Sequence, residues 1–502
     1  MNSIDSPTIL VIDVGTTSTR ASLYDARVRC VEGLHAEKPN HLETSPDGGA
    51  VFDATRLLEA VVAVIDEVLE KAGSRTDSIA AVAFDTFVSN VLGLDAAGAP
   101  ITPVYTYADT RNQEDARALR AELGPEGVGE VHRRSGCTIH ASYLPARFLW
   151  LERVHPQLFR SVRSWVSFGE YLFEIFFGSR LASHSIASWT GMLDHRKLAW
   201  DSFWLQRLPI DEEQLSPLGD LSETSRGLRG DWAKRWPALN DVPWLPAIGD
   251  GAAANIGSGC DVPEHVALTI GSTGAMRVVV EEELDSVPKG LWLYRVDRSR
   301  GLLGGATTEG GHFFAWLRRT LQLPAPEALE REIATRSPTA HGLTILPFVS
   351  GERAPGWRED ARAAIVGLTL SHDPIDVVHA ALEAMAYRFA LIHERMTAHF
   401  EGREDSYDII AGGGALLNSP AWLQIMADAL GRPVVTLAEE DVTSRGLGLL
   451  ALENLGVIGS PSDLPPATGR VHEPEESRHL LHKEALGRQV ALYDRLLDDG
   501  EL

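Results

Sequence analysis

Asp13 stands inside the apolar run "ILVIDV", and Gly15-Thr16-Thr17-Ser18 follows it before the chain turns apolar again. A carboxylate among aliphatic residues is costly unless something satisfies it. A plain hairpin would turn more tightly, on Asn-Gly or Asp-Gly. The turn is therefore expected to face a ligand. The same design returns in "ALTIGSTGAMRVVV", where Gly271-Ser272-Thr273 joins two apolar runs 256 positions after Gly15. Coincidence is the competing explanation, because Gly, Ser and Thr are ordinary turn residues. A repeat at about half the chain length is expected to mark a duplicated architecture.

Three further stretches carry chemistry. In "AIGDGAAANIGSG" (247–259), Asp250 precedes a run of small residues that would open a helix. It reads either as a helix N-cap or as a carboxylate kept ionised by the helix N-terminus, ready to accept a proton or order a magnesium hydrate. In "YDIIAGGGALLNSPAWLQIMADALGRPV", Gly412-Gly413-Gly414 lies between a short strand and a helix opened by Ser419-Pro420. Bare backbone there lets a nucleotide approach, although a purely structural turn is the plainer reading. The run GGGALL is not the GxGxxG of a dinucleotide site, which disfavours a dehydrogenase. In "YTYADTRN" (105–112), Asp109 and Arg111 are either a solvated ion pair or part of a site.

These residues need elements to hold them. Ile9–Val14 and Arg20–Tyr24 read as strands, Ala54–Lys71 as a helix ended by Gly73, and "IAAVAFDT" as a buried parallel strand. A long amphipathic helix is expected at about 375–399. Alternating strands and helices indicate an α/β protein, and 502 residues exceed one core. The prolines of "NDVPWLPAIGD" (240–250) suggest an interdomain crossing.

A net charge of −24 argues against nucleic-acid or anionic-membrane partners. Three scattered cysteines exclude a disulfide framework and a structural zinc site. With neither a signal peptide nor an 18-residue apolar span, a cytoplasmic enzyme acting on small molecules is expected, alone or as a homodimer.

Strand–DxGTTS–strand, a mid-chain GDGxxxNxG, strand–GSTG–strand and the late "GGGALLNSPAWLQIMAD" occur in an order that resembles the FGGY family of carbohydrate kinases over nearly the whole chain. "SGERAPGW" and "HASYLPARFLWL" add family-like segments. The letters FGGY themselves do not occur. The resemblance implies an α/β fold of two ribonuclease-H-like domains of the actin/hexokinase type flanking a catalytic cleft. Residues 1–246 would bind sugar and carry the first phosphate loop; residues 247–502 would carry the second loop and the adenosine site.

By the same resemblance, Gly15, Thr16, Thr17 and Ser18, with Gly271, Ser272 and Thr273, would hold the phosphates of ATP. Gly311, Gly412, Gly413, Gly414 and Asn418 would line the adenosine. Asp13 would act through Mg²⁺ and its waters, and Asp250 would be the catalytic base. The sugar side departs from the pattern. Val88-Ser89-Asn90 replaces a histidine segment common among relatives, and Tyr107 stands for the tryptophan of WADxR in gluconokinase-like members. Ser89, Asn90, Asp109 and Tyr143, beside Asp250, are the expected hydroxyl ligands, with Arg147 and His140 the nearest cations for a carboxylate. The expected reaction is phosphorylation of a primary hydroxyl, gluconate ahead of D-xylulose or another ketopentose or polyol. A nucleotide-binding sensor or an inactive relative of the same fold is the alternative from another class.

Overall fold

In the computed structural model, residues 7–281, 284, 286–398 and 407–498 are described. The first sheet contains β1 (Thr8–Val14), β2 (Ser18–Tyr24), β3 (Cys30–Pro39), β4 (Ile79–Thr86) and β5 (Ile248–Gly249), in the order β5-β4-β1-β2-β3. The second contains β6 (His265–Ile270), β7 (Gly274–Val280), β8 (Trp292–Arg295), β9 (Gly301–Thr307), β10 (Asp408–Gly412), β11 (Val434–Leu437) and β12 (Thr468–His472), in the order β8-β9-β7-β6-β10-β11-β12. In both sheets an antiparallel three-strand meander is extended by two parallel strands. The hairpins suspected of being repeats therefore occupy equivalent places in two copies of one design.

Sequence dictates these elements locally. Ile9, Leu10, Val11 and Ile12 are wholly buried, as a central strand requires. Helix α1 (Ala54–Ala72) begins at Asp53, whose carboxylate accepts from the N–H groups of Thr55 and Arg56. It ends at Gly73, whose φ of 54° suits glycine. Between them Leu57, Val61, Val64, Ile65 and Val68 turn one face to the sheet, each contributing roughly 1.5–3 kcal/mol by leaving water.

Between β4 and β5 the chain inserts a layer with its own core, including helix α2 (Gln113–Ser135) and the helix Leu144–Val154. Its return differs from expectation. The segment 240–250 does not cross between domains. Trp244 is a core residue bridged to Val82, and Ile248–Gly249 joins the first sheet beside Asp85 and Thr86. The first sheet thus extends beyond residue 246. Helix α3 (Asp250–Gly257) follows.

In the second half, α4 (Gly311–Thr320), α5 (Pro374–Thr397), α6 (Pro420–Leu430) and α7 (Val442–Asn454) complete the frame. The described part of α5 closely matches its expected span; residue 399 lies outside the described residues. Ser419 caps α6 by accepting from the Trp422 N–H, and Gly431 ends it in the left-handed region.

Helices α3 and α7 pack together between the sheets, in a cluster that also takes Val11 and Ala83 from one sheet and Val279 and Leu302 from the other. A Cβ on Gly257 would lie 1.7 Å from the Val442 carbonyl oxygen, and one on Gly446 would lie 1.9 Å from that of Ala253. Only glycine allows this crossing. Among the described residues, no helix is long and apolar enough to cross a membrane.

Candidate active site between the two sheets

The β1–β2 turn is closed by a hydrogen bond of 3.0 Å from the Gly15 N–H to the Ser18 carbonyl. Asn40, just after β3, supports it from outside. Its amide donates to the Gly15 carbonyl (2.7 Å), its side-chain oxygen accepts from Thr19 (3.0 Å), and its N–H donates to the Thr17 carbonyl (2.9 Å). The N–H groups of Thr16 and Thr17 donate to no acceptor among the described residues.

Strand register sets the charges beneath this turn. Asp13 lies beside Arg20 on β2 and Asp85 on β4. Its carboxylate is 14% exposed and has Arg20 at 4.0 Å. Asp85 is fully buried beside Asp13 and the Val14 N–H, and neither of its oxygens makes a hydrogen bond of ordinary geometry among the described residues. Burial raises the pKa of both groups, Asp85 well above the carboxylate range, with the charges of Asp13 and Asp250 pushing it further. Asp85 was not singled out in the sequence, although its place near the end of a buried strand repeats that of Asp13.

Because β5 ends beside Thr86, Asp250 projects from the start of α3. It is the first helical residue, and Gly249 takes the N-cap position, so the capping role considered from sequence does not apply. One Asp250 oxygen accepts from the Gly251 N–H at 2.7 Å. Burial pushes its pKa up to about 6; the Gly251 N–H and Arg277 hold it down, and Asp13 adds to the rise. A carboxylate poised there can take a proton near neutrality.

The facing turn, β6–β7, is built differently. The Gly271 N–H donates to the Thr273 carbonyl at 2.9 Å. The first N–H groups of α4 support the turn from behind, Gly311 to the Gly271 carbonyl (2.8 Å) and His312 to that of Ser272 (3.1 Å). A Cβ on Gly271 would meet nothing within 4 Å, so the protein leaves that space open. Gly413 has a φ of 87°, and a Cβ there would lie 2.4 Å from the Ile270 carbonyl oxygen. The N–H groups of Ser272 and Thr273, like those of Thr16 and Thr17, have no acceptor among the described residues. Beyond the turn is a cavity of about 640 Å³ whose lining includes Gly311, Phe314, Leu329, Gly414, Asn418 and Trp422.

On the sugar side the structure redistributes the expected residues. Asp109 is fully buried, its oxygens engaged by Arg111, Arg147 and the Ala50 N–H. Asn90 accepts from the Phe168 N–H and donates to the Phe87 carbonyl. These two expected hydroxyl ligands turn their polar atoms inward because buried polar groups must be satisfied. Arg147 is 3% exposed and paired with Asp109, and His140 lies 3.3 Å from Glu359. Neither is a spare cation.

Ser89 remains at the wall, with φ 53° and its hydroxyl donating to the Trp189 carbonyl. The Tyr143 hydroxyl meets that of Tyr294 at 2.6 Å, across the two halves, and Trp189 stacks on Tyr294 with ring centroids 3.6 Å apart. In "YADTR" it is Tyr107 that feels the site: burial raises its pKa first, and Asp250 raises it further. Sequence reasoning also passed over Asn40, Arg277 and Trp189, none of which stands in a motif.

Against known proteins, the model described as "FGGY family of carbohydrate kinases, N-terminal domain" matches residues 8–257, and its C-terminal counterpart matches residues 266–454. The gluconokinase of Bacillus licheniformis is 26% identical over 488 residues, covering 93% of this chain and 92% of its own. The solved gluconate kinase from Lactobacillus acidophilus superposes with a TM-score of 0.89 at 24% identity, over 98% of each chain. A ligand-bound xylulose kinase from the same organism gives the same values.

Proposed function

The chain belongs to the FGGY family of carbohydrate kinases, and on that premise we propose that it transfers the γ-phosphate of ATP to a primary hydroxyl of a linear sugar acid, gluconate. D-xylulose or another ketopentose or polyol is the second choice. The observation that carries the kinase chemistry is the set of four N–H groups, on Thr16, Thr17, Ser272 and Thr273, that have no acceptor among the described residues, together with a buried carboxylate, Asp250, whose pKa is about 6. Gluconate comes first on the "YADTR" segment and on the similarity to the Bacillus licheniformis gluconokinase.

Phosphoryl transfer asks little covalent chemistry of a protein; positioning and charge neutralisation do most of it. The four N–H groups supply fixed donors for phosphate oxygens, and the open side of Gly271 gives those oxygens room. The cavity at Gly311, Gly414 and Asn418 suits an adenosine. Asp250 orients the sugar hydroxyl and accepts its proton as the new O–P bond forms. Aromatic walls at Trp189, Tyr143 and Tyr294 exclude water from that hydroxyl.

The donors under the first turn fit a hydrated divalent cation: they are carboxylate oxygens, and those of Asp85 make no hydrogen bond of ordinary geometry among the described residues. Asp13 would hold Mg²⁺ through water, with Asp85 behind it. Mg²⁺ supplies charge neutralisation on the ATP phosphates.

Asp13, Asp250 and both turns speak for catalysis and against a sensor. A coupled assay of ADP release across aldonates, ketoses and polyols tests the reading. Release stimulated by gluconate is expected; ATP binding with no acceptor-dependent release from any of the three classes would overturn it.

A further inference from the structure

A sugar acid brings a negative charge into the cleft, and that charge needs a partner. Arg147, the arginine expected to help, is already paired with Asp109, and so is Arg111; Arg120 is paired with Glu359 and Arg388 with Glu352. Arg277 and Arg353 are different. The Nε of each is buried without an acceptor, and neither makes an ion pair among the described residues.

Arg277 arises from β7 where its cross-strand neighbours are Ala267 and Gly304. With no bulky side chain beside it, it reaches the other half of the molecule. Its Nη2 lies 3.5 Å from where a Cβ on Gly251 would stand, one residue beyond Asp250. Arg353 leaves the segment "SGERAPGW" with its guanidinium 5.9 Å from the ring centroid of Trp357. The Trp357 ring lies 6.3 Å from that of Tyr143, whose hydroxyl meets that of Tyr294, and Trp189, which stacks on Tyr294, shares the space at Gly251 with Arg277. The two guanidinium groups thus stand at one aromatic wall, and each feels the charge of the other.

Two partly buried cations repel each other and miss the hydration they had in water. Asp250 can offset one of them, yet it is also the group that takes up a proton. Arg353 then has no carboxylate partner among the described residues, and an anion entering the cleft would supply one. A neutral sugar would leave it unpaired. Resting on the kinase reading above, we propose that Arg277 and Arg353 select an anionic acceptor by pairing with its carboxylate. Guanidinium forks match carboxylate oxygens in a way that an ammonium does not.

The test compares kcat and KM for gluconate and D-xylulose in the wild type, Arg277→Gln, Arg353→Gln and Arg277→Lys, with Mg-ATP binding measured by calorimetry. Each Gln variant is expected to lower the gluconate-to-xylulose ratio of kcat/KM by about 100-fold, chiefly through KM, the usual cost of truncating a buried charge pair. Lysine should restore part of it, having the charge without the fork.

An unchanged ratio in variants that bind Mg-ATP normally overturns the proposal. So does an equal loss of kcat on both acceptors, which would assign the guanidinium to the transferred phosphoryl group. Should Arg277→Gln fail to bind nucleotide, Arg353→Gln, on a separate segment, decides. A wild type that uses xylulose and not gluconate overturns the inference and leaves the kinase reading intact; no transfer to any aldonate, ketose or polyol removes the kinase reading itself.

Discussion

The two hairpins that face the cleft share a topology and almost nothing else. In the first, Asp13 stands two residues before the turn glycine and beside Asp85 on the neighbouring parallel strand. In the second, the same two places are Thr269 and Gly412. The first turn is supported by Asn40, through its side-chain amide and its N–H, whereas the second is supported by the start of α4, through the Gly311 and His312 N–H groups and the His312 imidazole. The first turn thus has carboxylates beneath it, and the second has room. On the proposed reading, duplication supplies a frame that would grip phosphate from both sides, with the chemistry in what differs between the copies.

Removing the charge at the centre should have the largest effect. Asp250→Asn is expected to reduce turnover by ~10²–10⁴-fold, the usual worth of a positioned base, while calorimetry shows Mg-ATP still bound. Its pKa of about 6 gives the direction with pH. As pH falls below that value the carboxylate takes up a proton, and kcat/KM should drop tenfold per unit in the wild type. Stability runs the other way, because burial favours the protonated form. This group's contribution is fully present below its ordinary pKa and is lost as pH rises through about 6.

Matched substitutions in the two copies come next. Asp13→Asn should reduce kcat by ~10²-fold, the scale on which a fixed electrostatic group acts, and Thr269→Val should leave it within a few-fold. Comparable losses in steady-state assays would erase the distinction between a charged and an uncharged copy.

Glycines in the second copy separate room for ligand from room for the fold. Gly271→Val should weaken Mg-ATP binding about tenfold or more with thermal unfolding little changed, since a Cβ there meets no protein atom within 4 Å. Gly413→Ala should instead lower stability by ~1–3 kcal/mol, through a left-handed φ and a contact with Ile270. The smallest effect is expected at Asn40→Ala, about 1 kcal/mol for its lost hydrogen bonds, with a modest rise in KM for ATP. No change in that KM would show that the first turn holds its shape without the amide.

The parts of this molecule that were legible in the sequence are those encoded by neighbours in the chain. Gly15–Ser18, Gly271–Thr273 and Ser419-Pro420 advertise turns and caps because each acts through backbone within a few residues. Asp109 and Arg147 misled for the converse reason. They are 38 positions apart, and nothing local reveals that each satisfies the other in a closed core. Arg277 escaped notice because what sets it apart, a buried Nε without an acceptor among the described residues, shows only in tertiary structure. Trp244 seemed a linker residue beside two prolines, yet it packs against β4. Proline marks a break in local structure, not in a domain.

At the crossing of α3 and α7 the two halves of the molecule are separated by the thickness of two main chains and no more. Helices with interlocked side chains resist rolling, because each knob must leave its socket. Gly257 and Gly446 remove the knobs at the point of contact itself, while Ile256 and Leu447 beside them stay locked in the surrounding cluster and Arg445 donates across to the Gly257 carbonyl. The crossing is a rivet, set by how closely two bare main chains can lie. A methyl group added at either glycine would act as a shim, wedging the helices apart.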